Sequence, residues 1–390
     1  MDMLKSRRAL IYGLRYRLFG GSYIFRYYLA RALLELGLET WLFGVEVPPL
    51  EDVAKNFGSE LLKLNIYVFR LPFIIRRSIY GVFASLKLFK HVINRLDPDI
   101  VFVDFDLYRK PNKDVKIVEY VHGLSEAFVS SIPSIKYYRG AWKHYFKTYQ
   151  VLYRALARRN PFDEADMVLV NSNYTARMLR KYVEIKEPKK IKVLYPPVDV
   201  EAFSKYAHKP FEKRKGVITL GRIDKVFELE TLVKLAKFIS EPIIIVGAIS
   251  DLEYCIRLRM LMRTEDVKNK ILIYLNVPHT KLPGLLSNAK IFINTCPFHT
   301  FGISAVEGMA AGLPLVTVKR GAVYYDIIEK GKYGLPYDDL DELVSIVSKL
   351  LEDERAWAKY SRLSIERAQY FSYKRFKEEI KSVLKALGVV

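Results

Sequence analysis

The residues best suited to chemistry lie in one stretch, Cys296 to Val316, CPFHTFGISAVEGMAAGLPLV. A loop there, Phe301-Gly302-Ile303, leads into a helix-forming run from Ser304 to Ala311, which places the helix N-terminus near Gly302 to Ala305. A helix start carries unpaired backbone N–H groups and a partial positive charge, which suit a phosphate. Glu307 follows a turn later. Its carboxylate can accept two hydrogen bonds from a vicinal diol such as a ribose; the alternative is a first-turn acid favoured by the helix dipole. Far upstream, His122 precedes Gly123 at the end of VKIVEYVHG. Ends of parallel strands are where doubly wound sheets place ligand-contacting groups. A lone histidine is often structural, but this placement favours a role in a cleft. Gly20-Gly21 reads either as a loop that a ligand approaches closely or as a tight turn with no ligand. Cys255 and Cys296 have no metal-ligand spacing and suggest no disulfide framework.

These residues need a scaffold of alternating strands and helices. KIFINT (Lys290 to Thr295) reads as a buried strand before the glycine loop, and LVTV (Leu315 to Val318) as the strand after the helix. Gly312-Leu313-Pro314 stops the helix between them. The same alternation runs through the N-terminal half. Strands are predicted at Ala9 to Gly13, Glu39 to Val45, Asn65 to Phe69, Asp99 to Asp104 and Val115 to Gly123. Helices are predicted at Ser22 to Leu36, at Ile74 to Leu96 and through the basic, aromatic segment Tyr137 to Asn160. A strand from Asp166 leads into a helix with Ser172 or Asn173 as N-cap. Pro196-Pro197 and the basic stretch after it mark a linker. The second half restarts with strands at Val217 to Ile223, Pro242 to Ile249 and Ile271 to Val277, between helices at Glu228 to Ile239 and Leu252 to Met262. Amphipathic helices close the chain at Asp341 to Asp353 and Tyr373 to Leu387. The reading is α/β, with two Rossmann-like domains facing across a cleft.

Composition narrows the function classes. The chain has 390 residues, 51% of them hydrophobic, enough for two α/β domains with sizeable cores. No apolar run approaches transmembrane length, and the run Ala9 to Leu14 is too short for a signal-peptide core. A soluble or peripheral intracellular protein is expected. Two glutamines among many Lys, Arg and Glu residues form a pattern common in thermophile proteins. The net charge is +20, of which residues 1–200 hold +13. Met3 to Leu34, Leu61 to Leu96 and Ala127 to Phe162 contain no acid and seven Lys or Arg each. The N-terminal half should therefore present a positive face to something anionic.

Four stretches, VLVNSNYTA, VLYPPVDVEAF, the LGRI segment and FGISAVEGMAAGLPLV, resemble the retaining GT-B glycosyltransferases of family 4, the glycosyl transferases group 1 type. The tail FSYKRFKEEI resembles that family's closing helix, which crosses back onto the first domain. Within the family, YVH, VNSNYTA and VLYPPVDV are similar to the Alg11-type mannosyltransferases that extend lipid-linked oligosaccharides. The resemblance implies an acceptor domain over residues 1–205, a nucleotide-sugar domain over 206–370 and a closing helix over 371–390.

It also implies roles for residues. Glu307 matches the second Glu of the family's E-x7-E motif and would bind the nucleotide ribose. Arg222 matches an arginine on the donor diphosphate, which a guanidinium holds in a bidentate pair. His122 resembles a strand-end histidine on the donor sugar near the reaction centre. Gly302, Ile303 and Ser304 would supply the phosphate-binding helix start. Two positions depart from the pattern. The first Glu of E-x7-E is replaced by His299, able to hydrogen-bond a sugar hydroxyl but expected to vary in charge near neutral pH. The family's phosphate-binding lysine is replaced by Phe227, with Lys225 the nearest substitute.

The implied activity is transfer of a hexose, for instance mannose, from a GDP- or UDP-linked donor to a glycan or polyprenyl-phosphate-linked acceptor, with retention of configuration. The resemblance implies front-face displacement without a metal or a protein nucleophile. The acid-free basic stretches suit an anionic membrane surface, on the cytoplasmic face. Nucleic-acid binding is disfavoured, since no RNA- or DNA-binding motif accompanies the charge. His299 and Phe227 also leave open a non-catalytic GT-B relative that binds a nucleotide-sugar or scaffolds glycan assembly.

Overall fold

The computed structural model describes residues 7–13, 16–17, 20–70, 79–104, 110–111, 114–123 and 160–390, with only the backbone for 79–87 and 161. Residues 137–159 of the aromatic segment, the predicted helix start at Ile74 and much of the acid-free basic stretches lie outside these residues. The described chain divides into two compact units, residues 1–195 with 374–390, and residues 196–373.

The first unit holds the strands β1 (Arg8–Tyr12), β2 (Glu39–Gly44), β3 (Asn65–Val68), β4 (Ile100–Val103), β5 (Lys116–Val121), β6 (Met167–Val170) and β7 (Ile191–Val193). Among the described residues they form one sheet in the order β3-β2-β1-β4-β5-β6-β7, and every pairing is parallel. Strands β4 and β6 are buried along their whole length, as sheets covered on both faces require. Helices α1 (Gly21–Glu35), α2 (Leu50–Phe57), α3 (Ile79–Leu96) and α4 (Asn173–Tyr182) connect them. Ser172 caps α4, its hydroxyl accepting from the Thr175 N–H at 2.9 Å.

The second unit holds β8 (Val217–Ile223), β9 (Ile243–Ile249), β10 (Ile271–Leu275), β11 (Ile291–Asn294), β12 (Leu315–Val318) and β13 (Leu335–Tyr337). Their order is β10-β9-β8-β11-β12-β13, again all parallel. The helices are α5 (Val200–Ser204), α6 (Glu230–Leu235), α7 (Leu252–Thr264), α8 (Leu282–Leu286), α9 (Ile303–Ala310), α10 (Leu340–Glu352) and α11 (Glu354–Gln369). Asp199, Asp251, Asp339 and Asp353 cap four of them through their carboxylates. Burial of Leu232, Leu258, Ile293 and Val347, among others, forms the core on one sheet face.

Two expectations change here. The helix predicted over Glu228 to Ile239 shrinks to α6, because Glu228 takes a left-handed φ of 47° and the chain turns before Glu230. α11 was not anticipated; Asp353 both ends α10 and caps α11, so two helices abut. The last helix, α12 (Tyr373–Ala386), belongs by its contacts to the first unit, where Lys377 bonds Glu35 at 2.8 Å and Phe376 meets Phe25.

Candidate functional site

In the second unit, β11 delivers the chain into the loop 295–302, and α9 leaves it. α9 lies tight on β11, since a Cβ at Gly308 would meet the Phe292 ring at 2.5 Å. Gly302 is the N-cap, with φ 110° and ψ 62°, a conformation costly for any residue with a Cβ. A Cβ there would also lie 2.6 Å from Val323 Cγ2. No side chain caps this helix. Ile303 and Ser304 are half-buried at its start.

Glu307 stands in the second turn of α9, not the first, so the reading as a first-turn dipole acid does not hold. It is 5% exposed, and its Oε1 accepts from His279 Nε2 at 2.9 Å. His279 begins a one-turn helix, His279–Lys281, and meets the Phe203 ring nearly perpendicularly at 5.6 Å. Burial works against an imidazolium at His279, but the Glu307 bond and charge, with Asp199, outweigh it and raise its pKa. His279 was missed from sequence. It lies 28 positions from Glu307, and only folding brings them together.

Arg222 lies near the end of β8 with its side chain 61% exposed, and its Nη1 lies 3.3 Å from Asp224 Oδ2. Asp224 accepts from the Val226 N–H at 3.0 Å, capping the turn Lys225–Phe227. Lys225 thus shares a turn with Phe227. The Phe227 ring sits 5.6 Å beneath the Arg222 guanidinium. It packs perpendicular to the His299 imidazole at 5.2 Å between centroids. Burial, aided by the charge of Arg222, pushes the His299 pKa down to about 4. The expectation that its charge would vary near neutral pH is therefore corrected: the ring is neutral there, because desolvation and a neighbouring cation both disfavour the imidazolium.

The first unit holds the remaining candidates. His122 follows β5, and its Nε2 lies 3.1 Å from Asp104 Oδ2. Asp104 follows β4 and also receives Arg26 from α1, through Nε to Oδ2 at 2.5 Å and Nη2 to Oδ1 at 2.6 Å. Burial would raise the Asp104 pKa, but Arg26 and His122 reverse this and hold it below the usual carboxylate range. Asn171 Nδ2 donates to the His122 carbonyl at 2.6 Å, and Phe25 and Tyr120 meet its ring edge-on. Arg26 and Asp104 were also missed. The available signal was that Asp104 and His122 each follow the last residue of neighbouring parallel strands. Gly20, with φ 110°, is the N-cap of α1, and Gly21 is its first residue, so both belong to the same unit as His122.

Among the described residues, no cluster of metal-ligating side chains is found and no helix is long and apolar enough to cross a membrane.

Comparison with known proteins bears on both units. Residues 19–202 match the family model described as Glycosyltransferase Family 4, and residues 184–369 match Glycosyl transferases group 1. The chain is 27% identical over 247 residues to a Caenorhabditis elegans protein named GDP-Man:Man(3)GlcNAc(2)-PP-Dol alpha-1,2-mannosyltransferase, covering 56% of this chain and 52% of the relative. It is 24% identical over 261 residues to the Alpha-1,3/1,6-mannosyltransferase ALG2 of Dictyostelium discoideum, covering 57% and 61%. The chain thus spans about half to three fifths of the length of these curated relatives. In fold it is similar to a sucrose-phosphate synthase from Thermosynechococcus elongatus, with a TM-score of 0.74, 17% identity, and 98% of this chain and 99% of that chain covered.

Proposed function

The chain belongs to the GT-B glycosyltransferases of the family 4 and group 1 type, and from that membership we propose that it transfers a hexose, mannose first, from a GDP- or UDP-linked donor to a lipid-linked or other glycan acceptor, with retention of configuration. The observation that carries this reading is the α9 start. An uncapped helix N-terminus opened by Gly302 precedes a buried Glu307 carboxylate held by His279. That combination suits a diphosphate and a ribose together.

In this reading Glu307 binds the ribose, while Arg222, Lys225 and the N–H groups at Ile303 and Ser304 stabilise the departing diphosphate. His122, oriented by Asp104, contacts the donor sugar, and Gly20-Gly21 lies in the loop that admits the acceptor or its phosphate. The leaving phosphate deprotonates the acceptor hydroxyl on the front face, so no protein nucleophile is needed. The cations supply the charge stabilisation, and EDTA should leave the rate unchanged. The basic bias of the N-terminal half suits a polyprenyl-phosphate head group and a peripheral position on the cytoplasmic face of a membrane.

A thermal-shift and calorimetric screen of GDP, UDP and their sugars tests the donor. Glu307→Ala should weaken nucleotide binding by about tenfold or more; unchanged affinity removes the ribose assignment. NMR of the product anomer tests retention, and an inverted product rejects it. The pairing of His299 with Phe227 motivates a second reading, a relative that binds the donor without turnover. Intact binding with no release of nucleoside diphosphate from any common donor would favour it.

A further inference from the structure

We propose that Phe227 and His299 are one coupled replacement, an aromatic pair that stands where a lysine and a carboxylate are expected and that determines how the donor sugar is held. This rests on the donor-site reading above. In sequence the two departures look unrelated. In the fold their rings touch, perpendicular at 5.2 Å.

The surroundings are built for this pair. Phe227 is 7% exposed, and a Cβ on Gly221 would run into its ring, so the glycine of Gly221-Arg222 makes the room. The Thr295 hydroxyl donates to the Phe227 carbonyl, fixing the turn to the loop that carries His299. The His299 carbonyl accepts from the Ala322 N–H at 2.7 Å, which fixes the other partner. Among the described residues no hydrogen bond is made to the His299 ring nitrogens, which remain for a ligand. Arg222 lies over the Phe227 ring, and burial, aided by the charge of Arg222, keeps the neighbouring imidazole uncharged.

Charge explains why the two changes go together. A lysine and a carboxylate in contact cancel, and so do two neutral rings. Restoring only Glu at 299 would set a carboxylate against a phenyl ring. Restoring only Lys at 227 would place a second cation beside Arg222. The lone lysine adds to the charge of Arg222, and the lone carboxylate lies against an apolar ring with the exposed Arg222 guanidinium as a partial offset. The chemistry offered to the sugar differs too. A carboxylate only accepts hydrogen bonds, whereas a neutral imidazole donates one and accepts one. His299 is thus the ligand-facing member and Phe227 the positioning residue behind it.

A double-mutant cycle in the full chain tests this: wild type, Phe227→Lys, His299→Glu and both together. Two readouts are taken, the melting temperature without ligand and the affinities for GDP, UDP, GDP-mannose and UDP-glucose. Each single variant should melt lower than wild type and bind its nucleotide-sugar about tenfold more weakly, with the double variant recovering most of both losses. For His299→Glu, affinity for the free nucleoside diphosphate, which lacks the sugar, should move much less; a merely structural role would weaken both ligands alike. Losses that simply add in the double variant, in melting temperature and in affinity, overturn the coupling. If the wild type binds no nucleotide at all, the proposed function fails, and the ligand-free melting cycle still decides whether the pair is coupled.

Discussion

His279 and His299 are driven in opposite directions by their neighbours. Burial opposes the charge on both, but His279 has the Glu307 carboxylate while His299 has Arg222. The consequences for pH differ in sign. His279 is raised above its ordinary 6.5, so its contribution is fully present below that value and is lost as pH rises through the folded pKa. His299 is depressed from 6.5 to about 4, so stability should fall as pH drops through that window, where the unfolded chain takes up a proton that the native ring refuses. Urea denaturation of wild type and His299→Gln across this range checks it: the variant should lose part of the acid dependence. In the same spirit, His279→Ala should weaken nucleotide binding by about tenfold, because it unties the carboxylate that the ribose needs; calorimetry at pH 6 measures it. Asp104→Asn should be severe. It leaves the Arg26 guanidinium, whose side chain is only 10% exposed, without its counter-charge, at a cost of about 3–5 kcal/mol in denaturant unfolding.

At the scale of the element, the βα unit that carries Glu307 depends on its entry residue. Gly302→Ala forces a Cβ into a positive φ and against Val323, and about 1–3 kcal/mol should be lost. Because the strain falls on the helix start, diphosphate affinity should drop along with the melting temperature. Strands and helices in this unit were legible. KIFINT and LVTV contain β11 and β12, and the run Ser304 to Ala311 overlaps α9 within a residue at each end. Apolar β-branched runs between glycine stops leave little else for the chain to do. α11 was less legible, because α10 runs into it through a single shared Asp353 and offers no loop to mark the break.

At the scale of the molecule, the first unit is assembled from two distant segments, since residues 374–390 join residues 1–195. Truncation after Tyr373 would remove the Lys377–Glu35 ion pair and the Phe376–Phe25 contact from that unit. Scanning calorimetry should then show the first unit melting earlier, while the transition of residues 196–373 moves little. A uniform fall of both would mean that the helix supports the whole chain equally.

Sequence alone determined the alternation of strands and helices and the two-sheet α/β architecture, because hydrophobic period, caps and glycine stops are local signals; the family was legible through the resemblance of four motif stretches. Sequence also singled out Glu307 and His122 as candidates by residue type and position, and Arg222 through the resemblance. Tertiary structure decided their surroundings. Which side chain touches Glu307, what sits beneath His122 and whether His299 carries a charge all depend on groups remote in the chain. Desolvation and Coulomb interaction act through space, and only the folded sheets bring His279 to Glu307, Arg26 to Asp104 and Phe227 to His299.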